Sequence, residues 1–438
     1  MTKYKDLYFP TLFTLFLISF LIGNAAINIA STALFIYLIY NYFYDVKSDK
    51  KNFLSFIDFK SKVCTSFMLL SVYLLISSYF SLEPINSISR SLTFIKSLLT
   101  LFLFIYLFET KIKKETYRYV IFIFLVFISY IIFTLFFQSF TGKSFLGNYN
   151  IVVNRLSGPF GNELIVGTVL AKLSFLCFYI FENIFKVNKF FYLIVIILFS
   201  YSIFISGERS ALFLYLIYLT IYFLILSFNK KNIKIVIYLF TTILLIISIF
   251  SFNLIKSDYF KNYKNNNLEK LMYYEDSEFY NNKALWLFDR HIMQSYNELK
   301  NSDDSDYFKL FKSGYLIWKE NIFFGVGLKN FRSECPIKLS QIPNKDDYSC
   351  NIHPHNFFLE LLSELGMVGF LLFLIFFINL INKFFYMKDY LAWFSIFIQL
   401  TPMVNASYFT TFNLNLFILI FICLIILTNY RQHLNHSG

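Results

Sequence analysis

Apolar runs of about 18 residues or more recur along the whole chain, and no other feature restricts its fold as strongly. A bilayer core about 30 Å thick is crossed by about 20 apolar residues in a helix, which satisfies its own backbone groups where water is absent. Twelve such runs are found, at 8–22, 26–44, 63–80, 92–109, 118–140, 163–182, 189–206, 210–228, 233–254, 357–381, 389–406 and 412–429. Only 15% of the 438 residues are charged, against about 25% in soluble domains, so an ordinary soluble fold is excluded. The first run follows Lys3 and Lys5 in the manner of a signal peptide. Gly23-Asn24-Ala25-Ala26 is nevertheless a poor cleavage site and a second run follows at once, so it reads as a retained helix.

The net charge of +12 is explained by orientation. With the N-terminus inside, the tail, the loops near 45–62, 110–118, 182–189, 229–234 and 382–389, and the C-terminus hold 19 basic and eight acidic residues. Every one of these loops is net basic, as cytoplasmic loops are. The hydrophilic segment 255–356 then falls outside, between the ninth and tenth spans, with 14 basic and 14 acidic residues. The expectation is an all-α polytopic protein of about 12 transmembrane helices in a bacterial inner (plasma) membrane, with both termini cytoplasmic. It divides into spans one to nine (1–254), a large periplasmic loop (255–356), and spans ten to twelve with a cytoplasmic tail (357–438). Nucleic acid is not an expected partner, because the basic residues lie in short, separated loops. Cys64, Cys177 and Cys423 lie in apolar runs and read as small hydrophobes, whereas Cys335 and Cys350 lie in the outside loop, where an oxidising compartment lets them pair. Segments 256–283 and 298–309 read as irregular surface chain. The paired halves of many transporters are not visible.

The seven arginines run against the lysine trend. Five of them, Arg90, Arg155, Arg209, Arg290 and Arg332, lie outside. A guanidinium forks onto phosphate in a way an ammonium does not, so an outward-facing site for a phosphorylated ligand is expected. Arg209 sits in the short turn Ser206-Gly207-Glu208-Arg209-Ser210, at the depth of lipid-linked phosphates; the plainer alternative is an interfacial arginine paired with Glu208. Arg155 precedes Leu156-Ser157-Gly158-Pro159-Phe160-Gly161-Asn162, a Gly/Pro-rich entry into the sixth span whose backbone amides could also meet an anion. Lys172 and Lys96 are charges inside apolar runs, which are usually functional or paired.

Two of the five histidines form His353-Pro354-His355-Asn356 before the tenth span, and Asn356, Glu360 and Glu364 follow at i, i+4, i+8 on one helix face. Imidazole is largely neutral at pH 7 and can accept a proton from a sugar hydroxyl. Pro354 is expected to splay the two rings, leaving one to face a substrate. The alternative is a helix cap with no chemistry. Neither a zinc site at His353 and His355 nor a metal-bound diphosphate at Asp304-Ser305-Asp306 has convincing spacing, so no metal and no cofactor is expected.

Together these segments resemble the O-antigen ligase and O-antigen polymerase superfamily. The resemblance rests on Ser206-Gly207-Glu208-Arg209-Ser210, on Trp318 followed by Gly325-Val326-Gly327-Leu328-Lys329-Asn330-Phe331, on His355-Asn356 followed by Glu364-Leu365-Gly366 and Gly369, and on Arg155 to Gly167. It implies a GT-C-like, all-helical membrane enzyme that moves an undecaprenyl-pyrophosphate-linked glycan to lipid A-core (ligase) or to another lipid-linked repeat (polymerase), without a metal. The family's first outside arginine maps onto Arg209 and its histidine onto His355, with His353, Asn356, Glu360 and Glu364 in support. Its second arginine usually lies a few residues before Trp318, where this chain has Lys312-Ser313-Gly314-Tyr315, so Lys312, Arg290 or Arg332 is expected to take that part. A lipid-linked-oligosaccharide flippase is the rival class.

Overall fold

The structure, a computed structural model, describes residues 2–49, 62–111, 114–145, 155–161, 163–230, 287, 291, 305–342, 345–385, 398–400, 407 and 409–436. Among these residues it is all-helical, as expected, with no strand. The α-helices are α1 (Thr2–Ile22), α2 (Asn24–Asp49), α3 (Lys62–Tyr79), α4 (Pro84–Lys111), α5 (Lys114–Thr141), α6 (Val166–Tyr179), α7 (Lys189–Ile205), α8 (Arg209–Lys230), α9 (Asp306–Glu320), α10 (Phe331–Ser340), α11 (Phe357–Phe385) and α12 (Thr411–His436). Ten of the twelve apolar runs coincide with one of these helices. The run 233–254, and 389–406 apart from the 3₁₀ turn Ile398–Leu400, lie outside the described residues, as does segment 256–283. Among the described residues, six helical stretches are long and apolar enough to cross a membrane: Asn24–Tyr44, Lys62–Tyr79, Pro84–Phe104, Thr116–Thr141, Val166–Ile184 and Phe357–Asn382. The apolar parts of α1, α7, α8 and α12 are shorter.

The chain forms two compact units. One comprises Met1–Ser129, Leu173–Tyr192 and Ser302–Gly438, the other Tyr130–Lys172 and Leu193–Asn301. In the first, α3 packs on α4 and α11, α4 on α2 and α12, and α9 on α10 and α11. Lipid supplies no hydrophobic drive between helices, so small and hydroxyl residues at close contacts matter. Ser78 is within 2.7 Å of Ser91 and accepts from Ser87 at 2.9 Å across the α3–α4 seam, while Phe67–Phe376 and Phe94–Phe409 ring pairs fill the larger gaps. Cys177 and Cys423 are buried, the small-hydrophobe role expected of them.

Of the segment 298–309 expected to be irregular, the described residues 305–309 are the start of a helix. Ser305 precedes α9 and Asp306 is its first residue, so the second half of the Asp304-Ser305-Asp306 motif is a helix start. Cys335 on α10 is joined to Cys350, with a Cα–Cα distance of 5.8 Å, so the expected disulfide is present. Ile317, Val326 and Phe331 pack around it.

Candidate functional site

In the second unit, Glu208 organises the turn that carries Arg209. Its carboxylate accepts the Gly167 N–H at 2.6 Å, the Thr168 N–H at 3.2 Å and the Thr168 hydroxyl at 2.8 Å. These donors open α6, where unpaired amides and the helix dipole attract an anion. These α6 amides are thus taken by Glu208 itself, which is 1% exposed. Burial pushes its carboxyl above the usual range, against the opposing pull of the Thr168 hydroxyl, the backbone amides and nearby Arg155. Glycine is required at 167, because a Cβ there would lie 3.1 Å from that of Glu208 and would overlap the Ser206 hydroxyl. Sequence reading treated Glu208 only as a partner for Arg209; its role at α6 depends on a fold that brings residues 167 and 208 together.

Arg155 lies close enough to Glu208 to feel its charge and donates to the Leu164 carbonyl at 3.4 Å. Leu156 N–H donates to Ser206 O at 3.2 Å, while Gln138 Oε1 accepts from Ser157 N at 3.1 Å and Gly158 N at 2.7 Å. The Gly/Pro-rich segment is therefore tied to both α5 and the Ser206–Glu208 turn. Arg209 is half-buried as the first residue of α8. Lys172, on α6, is buried.

In the first unit, the Gly325-Val326-Gly327 loop is inserted into a break in α11. Gly366 has φ 65° and ψ −174°, a conformation essentially confined to glycine, and it interrupts the helical ladder. The groups released are taken by the loop: Val326 N donates to Ser363 O (3.0 Å), Gly327 N to Glu364 O (2.8 Å), Met367 N to Ile322 O (2.7 Å) and Val368 N to Phe323 O (3.1 Å). Tyr73 of α3 closes the junction by donating from its hydroxyl to Leu365 O. The two Gly-containing motifs that looked separate in the sequence are thus two sides of one joint. A Cβ at Gly325 would lie 2.5 Å from Glu364 O and Gly366 N, which is why Gly stands there.

The polar face expected on α11 is present and turned inward. Asn356 is its cap, its Oδ1 accepting from Phe358 N (3.0 Å) and Leu359 N (3.2 Å). Glu360 is fully buried, accepts the Ser407 hydroxyl and lies 3.8 Å from Lys329 Nζ. Glu364 Oε2 accepts Lys329 N at 2.8 Å, while its Oε1 is buried without a partner. Asn330, 1% exposed, has neither side-chain polar atom paired. Lys329 and Asn330 belong to the Gly325–Phe331 motif but their burial beside Glu360 and Glu364, like the part of Ser407, has no local mark in the sequence.

His353 is fully buried and His355 half-buried, and their rings are 4.3 Å apart at 46°. Pro354 does not splay them. His355 takes a left-handed φ of 52°, which folds the chain back so that its N–H donates to His353 Nδ1 at 3.1 Å. Asn351 Nδ2 lies 3.2 Å from His355 Nε2, and Tyr307 of α9 meets the His355 ring edge-on at 5.7 Å. A neutral imidazole has one unprotonated ring nitrogen, which is what a general base requires. Lys312 is half-buried on α9. Arg332, exposed on α10, lies where its charge reaches Glu83. Arg290 lies outside the described residues. Among the described residues, no group of His, Cys, Asp and Glu is arranged to hold a metal.

Residues 194–374 match the O-antigen ligase family. The matched segment runs from α7 through the Glu208–Arg209 turn to the α11 break and includes His355. This match covers about two fifths of the chain and makes that segment similar to the O-antigen ligase and polymerase superfamily, whose type of activity is glycan transfer in a membrane setting. No curated protein matches the chain.

Proposed function

We propose that this protein is an inverting, metal-independent glycosyltransferase that moves an undecaprenyl-pyrophosphate-linked O-antigen glycan onto lipid A-core at the periplasmic face of the inner membrane. The observation that carries the reading is His355, half-exposed inside the matched segment with Nε2 within 3.2 Å of the Asn351 amide. An acceptor hydroxyl attacks the anomeric carbon from the face opposite the pyrophosphate. The bond from that carbon to the pyrophosphate oxygen breaks with its electron pair, and the hydroxyl proton passes to His355 Nε2.

Arg209 takes the developing charge on the pyrophosphate. Arg155, Lys312, Arg332 and Arg290 are the further cations of this reading, and His353, Asn356, Glu360 and Glu364 hold the helix start. Pyrophosphate is a good leaving group that needs charge stabilisation more than protonation, so fixed guanidinium groups suffice. Arg155 already faces Glu208 and Leu164 O.

The test is transfer by the purified protein in liposomes containing lipid-linked donor and lipid A-core. His355→Ala and Arg209→Ala are each expected to lower the rate about 100-fold or more. Undiminished transfer by either variant removes that residue from the mechanism. Replacing lipid A-core by a second lipid-linked repeat separates the ligase from the polymerase reading, which uses the same residues.

A further inference from the structure

We propose that the tip Ile322-Phe323-Phe324 is inserted among the acyl chains of the bilayer, as a re-entrant wedge within a segment whose composition reads as aqueous loop. Two helices independently set its depth. Tyr73 lies six residues before the end of α3 at Tyr79, about 9 Å along the axis at about 1.5 Å per residue. Its hydroxyl, which donates to Leu365 O, lies 3.2 Å from Phe324 O. Side chains on a helix lean toward its N-terminus, which carries this contact further from the Tyr79 end.

On the other side, the uninterrupted part of α11 begins at Met367, after the break at Gly366. From Met367 to Phe385 this helix has 19 residues, about 28 Å and so nearly a full hydrocarbon thickness. The N–H groups of its first two residues donate to the carbonyls of Ile322 and Phe323. The tip therefore lies level with the start of one crossing helix and more than a turn inside the end of another.

Irregular backbone survives at that depth only where its polar groups are satisfied by protein. Here the Ile322 and Phe323 carbonyls accept from Met367 N and Val368 N, and the Phe324 carbonyl lies 3.2 Å from the Tyr73 hydroxyl. The next three amides, Gly325, Val326 and Gly327, donate to Asn321, Ser363 and Glu364 carbonyls. The side chains face the other way: Ile322 is 43%, Phe323 65% and Phe324 66% exposed. They adjoin a helix, α3, whose Leu69, Val72 and Ile76 are exposed apolar residues of a membrane-crossing stretch. Tip carbonyls turned into protein and side chains bare beside a crossing helix describe a segment whose partner is the acyl region.

The test uses a nitroxide at Phe323→Cys, and separately at Phe324→Cys, with Cys64, Cys177 and Cys423 replaced by Ala and the protein in liposomes. Ile337→Cys on α10, where the native side chain is 45% exposed, is the water-exposed reference. Intact Cys335–Cys350 by mass spectrometry certifies folding, and either tip variant that folds supplies the readout. The expected result is frequent collision with oxygen and collision with a water-soluble nickel complex several-fold below that at 337. Nickel access equal to that at 337 places the tip in water and overturns the proposal. Low access to both reagents means the tip is packed in protein and overturns it as well. Glycan transfer does not enter the readout, so its presence or absence leaves the outcome unaffected.

Discussion

Replacing Gly366 by Ala tests whether the helix break is the joint that seats the Gly325–Gly327 loop. Two costs add. A residue with a Cβ at φ 65° and ψ −174° is strained by about 1–3 kcal/mol. The new Cβ would also overlap the Phe323 carbonyl and Phe324 N, which are backbone atoms that no rotamer change can move aside. Relief requires the loop to retreat, breaking the Met367–Ile322 and Val368–Phe323 hydrogen bonds, each about 1 kcal/mol. The sum is about 3–5 kcal/mol, a large share of a typical total stability of about 5–15 kcal/mol. Gly161→Ala is the control, because φ is 61° there while its Cβ would meet nothing within 4 Å, leaving about 1–2 kcal/mol of backbone strain alone. Denaturant titration of both variants in detergent, followed by loss of helical circular dichroism, gives the two values. Should Gly366→Ala cost no more than Gly161→Ala, the break does not hold the loop.

Glu208→Ala leaves the Gly167 and Thr168 amides without their acceptor and is expected to cost about 2–3 kcal/mol in the same titration; a neutral outcome means water replaces the carboxylate. Because burial raises the Glu208 carboxyl above its unfolded value of about 4.3, its favourable contribution is complete below that value and fades as pH rises through the folded one. The stability of wild type relative to Glu208→Gln should therefore fall with rising pH over that window, and a flat difference contradicts it. Glu83 is the reverse case, held below the usual range chiefly by the Ser333 hydroxyl, then by Asn86 and Arg332. Its contribution is present above the unfolded value and is lost as pH falls, so Ser333→Ala should shrink the acid-side difference between wild type and Glu83→Gln. Joint replacement of Cys335 and Cys350 by Ser removes a cross-link 15 residues apart and is expected to cost about 3 kcal/mol, read as a lowered unfolding midpoint that reductant also produces in the wild type. Lys329→Met leaves Glu360 and Glu364 buried without their cation and is expected to cost about 3–5 kcal/mol, whereas an unchanged midpoint means the carboxyls are already neutral.

Ten helices were legible in the sequence because a bilayer imposes a requirement that each run meets alone: enough apolar residues in a row, with every backbone bond made internally. The disulfide was legible for a related reason, since only Cys335 and Cys350 lie outside apolar runs. The His353–Asn356 segment was found but its geometry was misjudged. Proline suggests separated rings, whereas the left-handed turn at His355 brings them together, and no rule about proline reports the φ of the residue after it.

By itself, then, the sequence determined the helical class and the apolar spans. It also located the Arg209 and His355 segments, because hydropathy, charge and motif spacing are properties of neighbouring residues. Tertiary structure alone decided that Glu208 fills the α6 terminus, that Lys329 sits between two carboxylates, and that Gly325 and Gly366 are two halves of one joint. Those pairings link residues 31 to 41 positions apart, through single atoms that must meet within about 3–4 Å. Which atoms meet is fixed by how the helices pack, and packing is a property of the whole chain.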